Sequence, residues 1–257
     1  MDPLAEKYWS TTPYAYGLNN PVYFVDPDGR QINLSHIRDN NQNAYNVLID
    51  HLQQITGYTL KVDDKGNLTF ATEKNKKGKD IATIKKDKNG KDIGSKFARK
   101  ILKDAIENKD LITVLDNPDG KSRVTLDEKQ NYTNEINLDS NENGRESFSS
   151  DLNPLTNGLG MVFLHELGHT PVGGGHHDPI GDGTNGFMVA GSNENRINRI
   201  RKELGPSYGQ RMIYNDFRIN MSRENVKGQR FRAYSETSLN QLRKGQTPTI
   251  MYSILGE

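Results

Sequence analysis

The sequence predicts an α+β fold, a small mixed or antiparallel sheet packed with a few helices. Three observations predict it. Residues 41–56 and 95–108 place apolar side chains at helical spacing. The stretches 111–115, 123–126 and 134–138 have the length and alternation of strands. An apolar run, Leu159 to Leu164, then leads into His165-Glu-Leu-Gly-His169, an H-E-x-x-H pattern stopped by Pro171.

In the first helix Ala44, Val47, Leu48, Leu52 and Ile55 form the apolar face, with His51 on its polar flank. Tyr58–Val62 and Asn67–Phe70 flank Asp63-Asp-Lys-Gly66, a hairpin signal. Residues 73–92 interleave lysines with acids, which reads as a solvated ribbon. The second helix opens on Ser95 and turns Phe97, Ile101, Leu102 and Ile106 inward. Leu111–Leu115 is a buried-type strand, and Arg123–Leu126 and Asn134–Leu138 have one wet face. Residues 139–154 are polar loop, and Gly173–Gly191 is glycine-rich and irregular. Ile197 to Leu204 forms a basic helix ended by Gly205-Pro206, and the tail keeps a short helix near Leu239. No internal repeat is apparent.

The chain has 257 residues, enough for one large domain or a domain with appendages. Only 33% of it is hydrophobic, so the core is modest and the loops long. A net charge of +1 argues against a nucleic-acid or membrane surface. The lack of cysteine excludes disulfides and thiolate metal sites. No apolar run suits a membrane span, and Met1-Asp-Pro-Leu-Ala-Glu-Lys7 has no signal-peptide character.

The chemistry concentrates in 165–178, which holds four of the six histidines. On a helix, His165 and His169 lie one turn apart and point two imidazoles at one spot, as zinc requires. Glu166 then reaches a zinc-activated water as general base without itself ligating. The third ligand must come from elsewhere. His176 is the first choice and His177 the second, both delivered by Gly173-Gly-Gly175. Asp178 could bind or orient an imidazole, and Glu194 is the outside candidate. Met188 is a possible floor under the metal, although a plain core role suits it better. The oxyanion needs a further donor. Arg211 and Tyr214 are chosen, with Tyr208 in reserve.

Several resemblances follow from these residues. Strands just before an H-E-x-x-H helix resemble the zincin plan, which implies an edge strand pairing with extended substrate. The metzincin pattern places a third histidine six residues after the second. Here His176 and His177 follow His169 by seven and eight, so that family is not assigned. Arg211-x-x-Tyr214 is similar to the pair that serves the oxyanion in clostridial neurotoxin light chains. Asp2-Pro-Leu-Ala-Glu-Lys-Tyr8, Pro13-Tyr-Ala-Tyr16, Asn19-Asn-Pro-Val22 and Phe24-Val-Asp-Pro-Asp-Gly-Arg30 resemble the end of the Rhs repeat-associated core. That module closes the shell of Rhs polymorphic toxins, and a toxin normally follows it. The resemblance implies a remnant at 1–33, with Asp26-Pro-Asp-Gly29 similar to the release turn, and a toxin domain at 34–257.

The expected function is thus a zinc (Zn2+) endopeptidase toxin, secreted as the tip of a larger protein and acting on a target-cell protein. The parent Rhs shell and a cognate immunity protein are its implied partners. The alternatives are a metal-dependent nuclease built on His176-His177-Asp178 and a non-catalytic tip with a structural metal.

Overall fold

A computed structural model describes residues 32–108, 110–116, 122–126, 132–136, 146–148, 152–178, 190–213, 217–218, 230–244, 246 and 251–254. The aromatic segment ahead of Ile32, Met188 and Tyr214 lie outside the described residues. The architecture is α+β, with six helices and four small sheets among the described residues. None of these helices is long and apolar enough to cross a membrane.

The chain enters through β1 (Ile32–Asn33), α1 (Ser35–Asn40) and α2 (Gln42–Thr56). Asn41 caps α2, its side-chain oxygen accepting the Ala44 N–H at 3.1 Å. Gly57 ends the helix at φ 75°, and a Cβ there would stand 2.2 Å from the Ile93 carbonyl oxygen. Only glycine meets both demands.

Between α2 and the next helix the structure corrects the expectation of no repeat. Strands β2 (Leu60–Val62) and β3 (Leu68–Phe70) form one hairpin, and β4 (Thr72–Lys74) and β5 (Asp80–Ala82) a second. A third closes through the Lys86–Asp92 bridge. Their turns share one hydrogen-bond plan at a twelve-residue interval. The N–H groups of Gly66, Gly78 and Gly90 donate to the carbonyls of Asp63, Asn75 and Asp87 at 3.0, 2.8 and 2.9 Å. The side chains of those three residues in turn accept the N–H groups of Asn67, Lys79 and Lys91. At the base, Thr59, Ala71 and Thr83, again twelve apart, bond to one another in a closed ring. Ala71 N–H donates to Thr59, Thr83 to Ala71 and Thr59 to Thr83, at 2.8, 2.8 and 3.0 Å. The 73–92 stretch is therefore solvated, as expected, but it is also two-thirds of a repeated module.

Next is α3 (Lys96–Ile106), capped by Ser95, whose Oγ accepts from Ala98 N–H at 2.9 Å. Strands β6 (Ile112–Asp116), β7 (Arg123–Leu126) and β8 (Tyr132–Ile136) join β1 in the order β1-β6-β8-β7. β1, β6 and β8 run parallel, and β7 pairs antiparallel with β8, so β7 is an edge among the described residues. The last strand starts at Tyr132, two residues before the expected Asn134.

After β9 (Glu146–Phe148) comes α4 (Leu159–His169), the H-E-x-x-H helix, packed on α2, β7 and β8. Phe163, Leu164 and Leu167 are fully buried with Leu48, Leu52 and Leu102 in one core. Truncating Phe163 or Leu164 to alanine costs about 2–5 kcal/mol. Then α5 (Ser192–Leu204) crosses α4 and α3. It starts five residues before the expected Ile197, and its Arg196 and Arg201 face inward. Half of its basic character is therefore spent in the interior, while Arg199 and Lys202 remain exposed. Strands β10 (Phe217–Arg218), β11 (Arg230–Ala233) and β12 (Met251–Ile254) form an antiparallel sheet with β9. The tail helix α6 (Glu236–Arg243) lies between β11 and β12 in the chain, where a short helix was expected.

The α4 N-terminus carries a pH-sensitive contact. Gly158 provides no side-chain cap, and the Gly160 N–H instead donates to His51 Nδ1, a long bond of 3.5 Å. His51 thus faces the interior rather than solvent. A Cβ at Gly160 would stand 2.7 Å from the His51 Cβ, so glycine permits the approach. Burial holds the His51 pKa below its usual value against the opposing charge of Asp50. With the folded pKa depressed, the unfolded chain binds the proton more readily. Stability from His51 is thus full above about pH 6.5 and lost as pH falls through the lowered value. Protonation also sets a cation at the positive end of α4. We expect denaturant midpoints to drop more between pH 7.5 and 5.5 for the wild type than for His51→Gln.

Candidate metal centre

Three residues of α4 gather their potential ligand atoms within 4.8 Å of one another: His165, Glu166 and His169. The two imidazoles meet edge to face with centroids 5.2 Å apart. Helical spacing alone brings this about, as the H-E-x-x-H pattern requires.

Both rings are held from one side and addressed from the other. The His169 Nδ1 lies 2.8 Å from the His176 carbonyl oxygen, which fixes Nδ1 as the protonated nitrogen. Its Nε2, the nitrogen that faces Asp178, also lies 3.2 Å from the Asn193 side-chain amide. The His165 Nδ1 lies 3.7 Å from a Glu194 oxygen. On the opposite side, Asp178 spans the pair. Its Oδ1 is 3.3 Å from His165 Nε2 and its Oδ2 is 3.5 Å from His169 Nε2. The Asp178 hydrogen bond holds the His169 pKa above its usual value, against the effect of burial.

The segment after α4 explains this placement. Thr170 Oγ1 donates to the Leu167 carbonyl at 2.8 Å and accepts the Gly173 N–H at 3.1 Å. A Cβ on Gly173 would fall 1.8 Å from that same carbonyl oxygen. The chain doubles back so that His176 N–H donates to the Gly168 carbonyl at 2.8 Å, and Asp178 arrives over the rings. Of the two expected third ligands, His176 offers its backbone carbonyl to His169, and the His177 side chain is exposed.

Glu194 is neither an exposed helix-start residue nor level with the Nε2 atoms. It is 1% exposed and paired with Arg201, and its Oε2 accepts from Arg211 Nη1 at 3.2 Å. Burial raises its pKa, but Arg201, Arg211 and then His165 outweigh this and bring it down to about 2. Arg211 is fastened beneath the site, with Nε donating to the Ile213 carbonyl at 3.0 Å. Asn198 locks the same pair, accepting from Arg211 N–H at 2.7 Å and from Arg201 at 2.9 Å. Tyr208 is half-buried in a single 3-10 turn, Pro206–Tyr208. Glu166 is 6% exposed, and burial lifts its pKa above the usual carboxylate value against the pull of His165 and His169.

Sequence reasoning missed Asn193. Its amide nitrogen donates to the His165 carbonyl at 2.9 Å as well as reaching His169, and its oxygen meets Arg196. Arg196 Nη1 donates to the Leu164 carbonyl at 2.9 Å. The signal available was Gly168: a Cβ there would lie 2.0 Å from Asn193 Oδ1 and 2.6 Å from Arg196 Nη1. Gly168→Ala should therefore push α5 away, costing about 1–3 kcal/mol by overpacking. Thermal unfolding checks the cost, and zinc titration checks the accompanying weakening of the metal site.

Comparison with protein-family models, with curated proteins and with solved structures finds no match, so the reading of this centre rests on its geometry.

Proposed function

We propose that this chain is a zinc-dependent endopeptidase of zincin-like plan, the toxin tip of an Rhs protein. The observation that carries the reading is the convergence of both Nε2 atoms on the two oxygens of Asp178. Two imidazole nitrogens and one carboxylate make a three-ligand donor set that suits zinc and leaves one coordination position for water or substrate. His165, His169 and Asp178 would hold the ion, with the His176 carbonyl and Glu194 orienting the rings. Zinc bound there would supply Lewis acidity and lower the pKa of a water molecule towards about 7.

Glu166, next to His165 and largely desolvated, takes the proton as water attacks a peptide carbonyl and passes it to the leaving amine. β7, packed beside α4, is the strand that would pair with an extended substrate. Arg211 is engaged with Glu194, so the oxyanion role passes to Tyr214, with Tyr208 still in reserve. The nuclease alternative needs His176, His177 and Asp178 to act together. The exposed His177 side chain and the turn of Asp178 towards α4 favour the peptidase. The Rhs-like residues 2–30 support delivery by a parent shell, with a cognate immunity protein guarding the producer.

Metal analysis and hydrolysis of unfolded casein test this reading. The purified full chain, equilibrated with zinc and dialysed, should retain about one ion per molecule, as a three-ligand site with an open position implies. It should cleave casein, and a chelator should stop it. Asp178→Ala should fail to retain zinc while unfolding at the wild-type temperature measured without metal. Zinc-free wild type, or metal-dependent cutting of DNA with casein intact, overturns the proposal.

A further inference from the structure

The three hairpins share one turn, yet they are put to different uses. The first is docked on the body of the domain. Its Gly66 carbonyl accepts the Leu34 N–H at 2.7 Å, and Asn67 bonds to the Asn33 side chain at 2.9 Å. A Cβ on Gly66 would collide with Ser35 at 2.6 Å. Its cross-strand pair at the neck is apolar, Val62 opposite Leu68.

In the second and third hairpins that pair becomes Lys74–Asp80 and Lys86–Asp92, ion pairs of 2.9 and 3.0 Å. A Cβ on Gly78 or Gly90 would meet nothing within 4 Å, so both tips stand in solvent. Exposed surface ion pairs of this kind add little stability, so they do not account for the lysines at the tips. Residues 73–92 hold eight lysines and four acids, while the rest of the chain holds 26 basic and 29 acidic residues. Three of the four acids are already occupied, Asp80 and Asp92 by the neck lysines and Asp87 by the N–H groups of its own turn. Lys76, Lys77, Lys79, Lys88 and Lys91 are all exposed on or beside the two open turns.

We propose that these two tips form a docking surface for an acidic polypeptide segment of a partner protein. The proposal does not depend on the peptidase reading. Charge complementarity selects an anion, and three observations select a polypeptide over nucleic acid. First, no aromatic side chain lies in 73–92, and those at the module's base, Tyr58 and Phe70, pack on each other, tilted by 55° with centroids 4.6 Å apart. Bases would find no stacking platform. Second, residues 57–94 contain no arginine, the residue suited to bidentate phosphate contacts. Third, a long polyanion running past the tips would meet the net negative remainder of the chain, whereas a short acidic strand engages the tips alone. The rigid turns hold the lysine backbones in place, which lowers the ordering cost of binding.

The test uses the full chain and a fluorescent dodecaglutamate peptide, read by anisotropy. A single-stranded oligonucleotide of equal charge and vesicles containing phosphatidylserine serve as competing anions. The variant Lys76→Glu/Lys77→Glu/Lys88→Glu/Lys91→Glu leaves both neck pairs and all three turn caps intact, and circular dichroism and thermal unfolding verify its fold. We expect the wild type to prefer the peptide, with affinity falling as salt rises, and the variant to bind at least tenfold more weakly. Equal binding by a folded variant, or tighter binding of the oligonucleotide or vesicles than of the peptide, overturns the proposal. Should the quadruple variant not fold, the same loss is required of Lys76→Gln/Lys77→Gln and of Lys88→Gln/Lys91→Gln, and unchanged binding by both overturns it.

Discussion

Glu166→Gln should abolish casein hydrolysis while leaving zinc in place. The carboxylate lies within ligand distance of both imidazoles, yet the base must move a proton and the ligands must not. Glutamine keeps the shape and size of the side chain and loses only the ability to accept that proton. Loss of a positioned general base costs about 10²–10⁴-fold in rate. Glu166 is buried, so the substitution also removes a desolvated charge, and thermal stability should hold or rise slightly. The decisive comparison is zinc content against turnover in the same preparation. A Glu166→Gln protein that still cleaves casein at the wild-type rate would remove Glu166 from the chemistry. One that loses its zinc would instead make Glu166 part of the ligand set, which the position of Asp178 over the rings argues against.

How much of this was legible from residues alone depends on the range of the interactions involved. The α4 helix was legible because its pattern is local: an apolar lead-in, two histidines one turn apart, and a proline beyond. Ser95 announced α3 in the same way, through a cap that acts within three residues, and α2 was legible from its apolar spacing. Asp178 as the residue facing the rings was not legible. It depends on Thr170 Oγ1 and on the return of Gly173 against Leu167, which set where residue 178 falls in space. Histidine was preferred at 176 and 177 on residue type, whereas the backbone there contributes a carbonyl.

The hairpin repeat was overlooked for a different reason. Its copies share the turn residues, Asp or Asn at the start and glycine three later, but exchange the neck from Val62–Leu68 to lysine–aspartate pairs. Periodicity sought in apolar residues misses a repeat that is carried by turn chemistry. The inward face of α5 was misjudged because Arg196 and Arg201 are residue types mostly found exposed. Their burial makes sense only with Leu164, Glu194 and Thr156 in view, the last through its carbonyl, which accepts from Arg201 Nε at 3.0 Å.

Glu194→Gln should be the most destabilising single change in the described structure outside the apolar core. The carboxylate is 1% exposed and answers two buried guanidinium groups, those of Arg201 and Arg211, which are themselves 2% and 8% exposed. Removing its charge takes away the buried carboxylate that answers both cations. Breaking a buried pair in this way costs about 3–5 kcal/mol, far more than the pair contributes over a well-packed apolar substitute. The pH dependence distinguishes this from lost packing. With its pKa held down to about 2, Glu194 contributes stability that is fully present above about 4.5, its unfolded value, and is lost as pH falls through about 2. Wild type should therefore lose this contribution in acid, and the glutamine variant should show a shallower acid limb in denaturant midpoints. The second readout is metal affinity. Glu194 stands behind His165 Nδ1, and outer partners of this kind are worth about 10–100-fold in affinity. A stable Glu194→Gln protein with unchanged zinc binding would mean that the two arginines have other anions to answer them. A destabilised one with unchanged zinc binding would confine Glu194 to packing and leave His165 oriented by its helix alone.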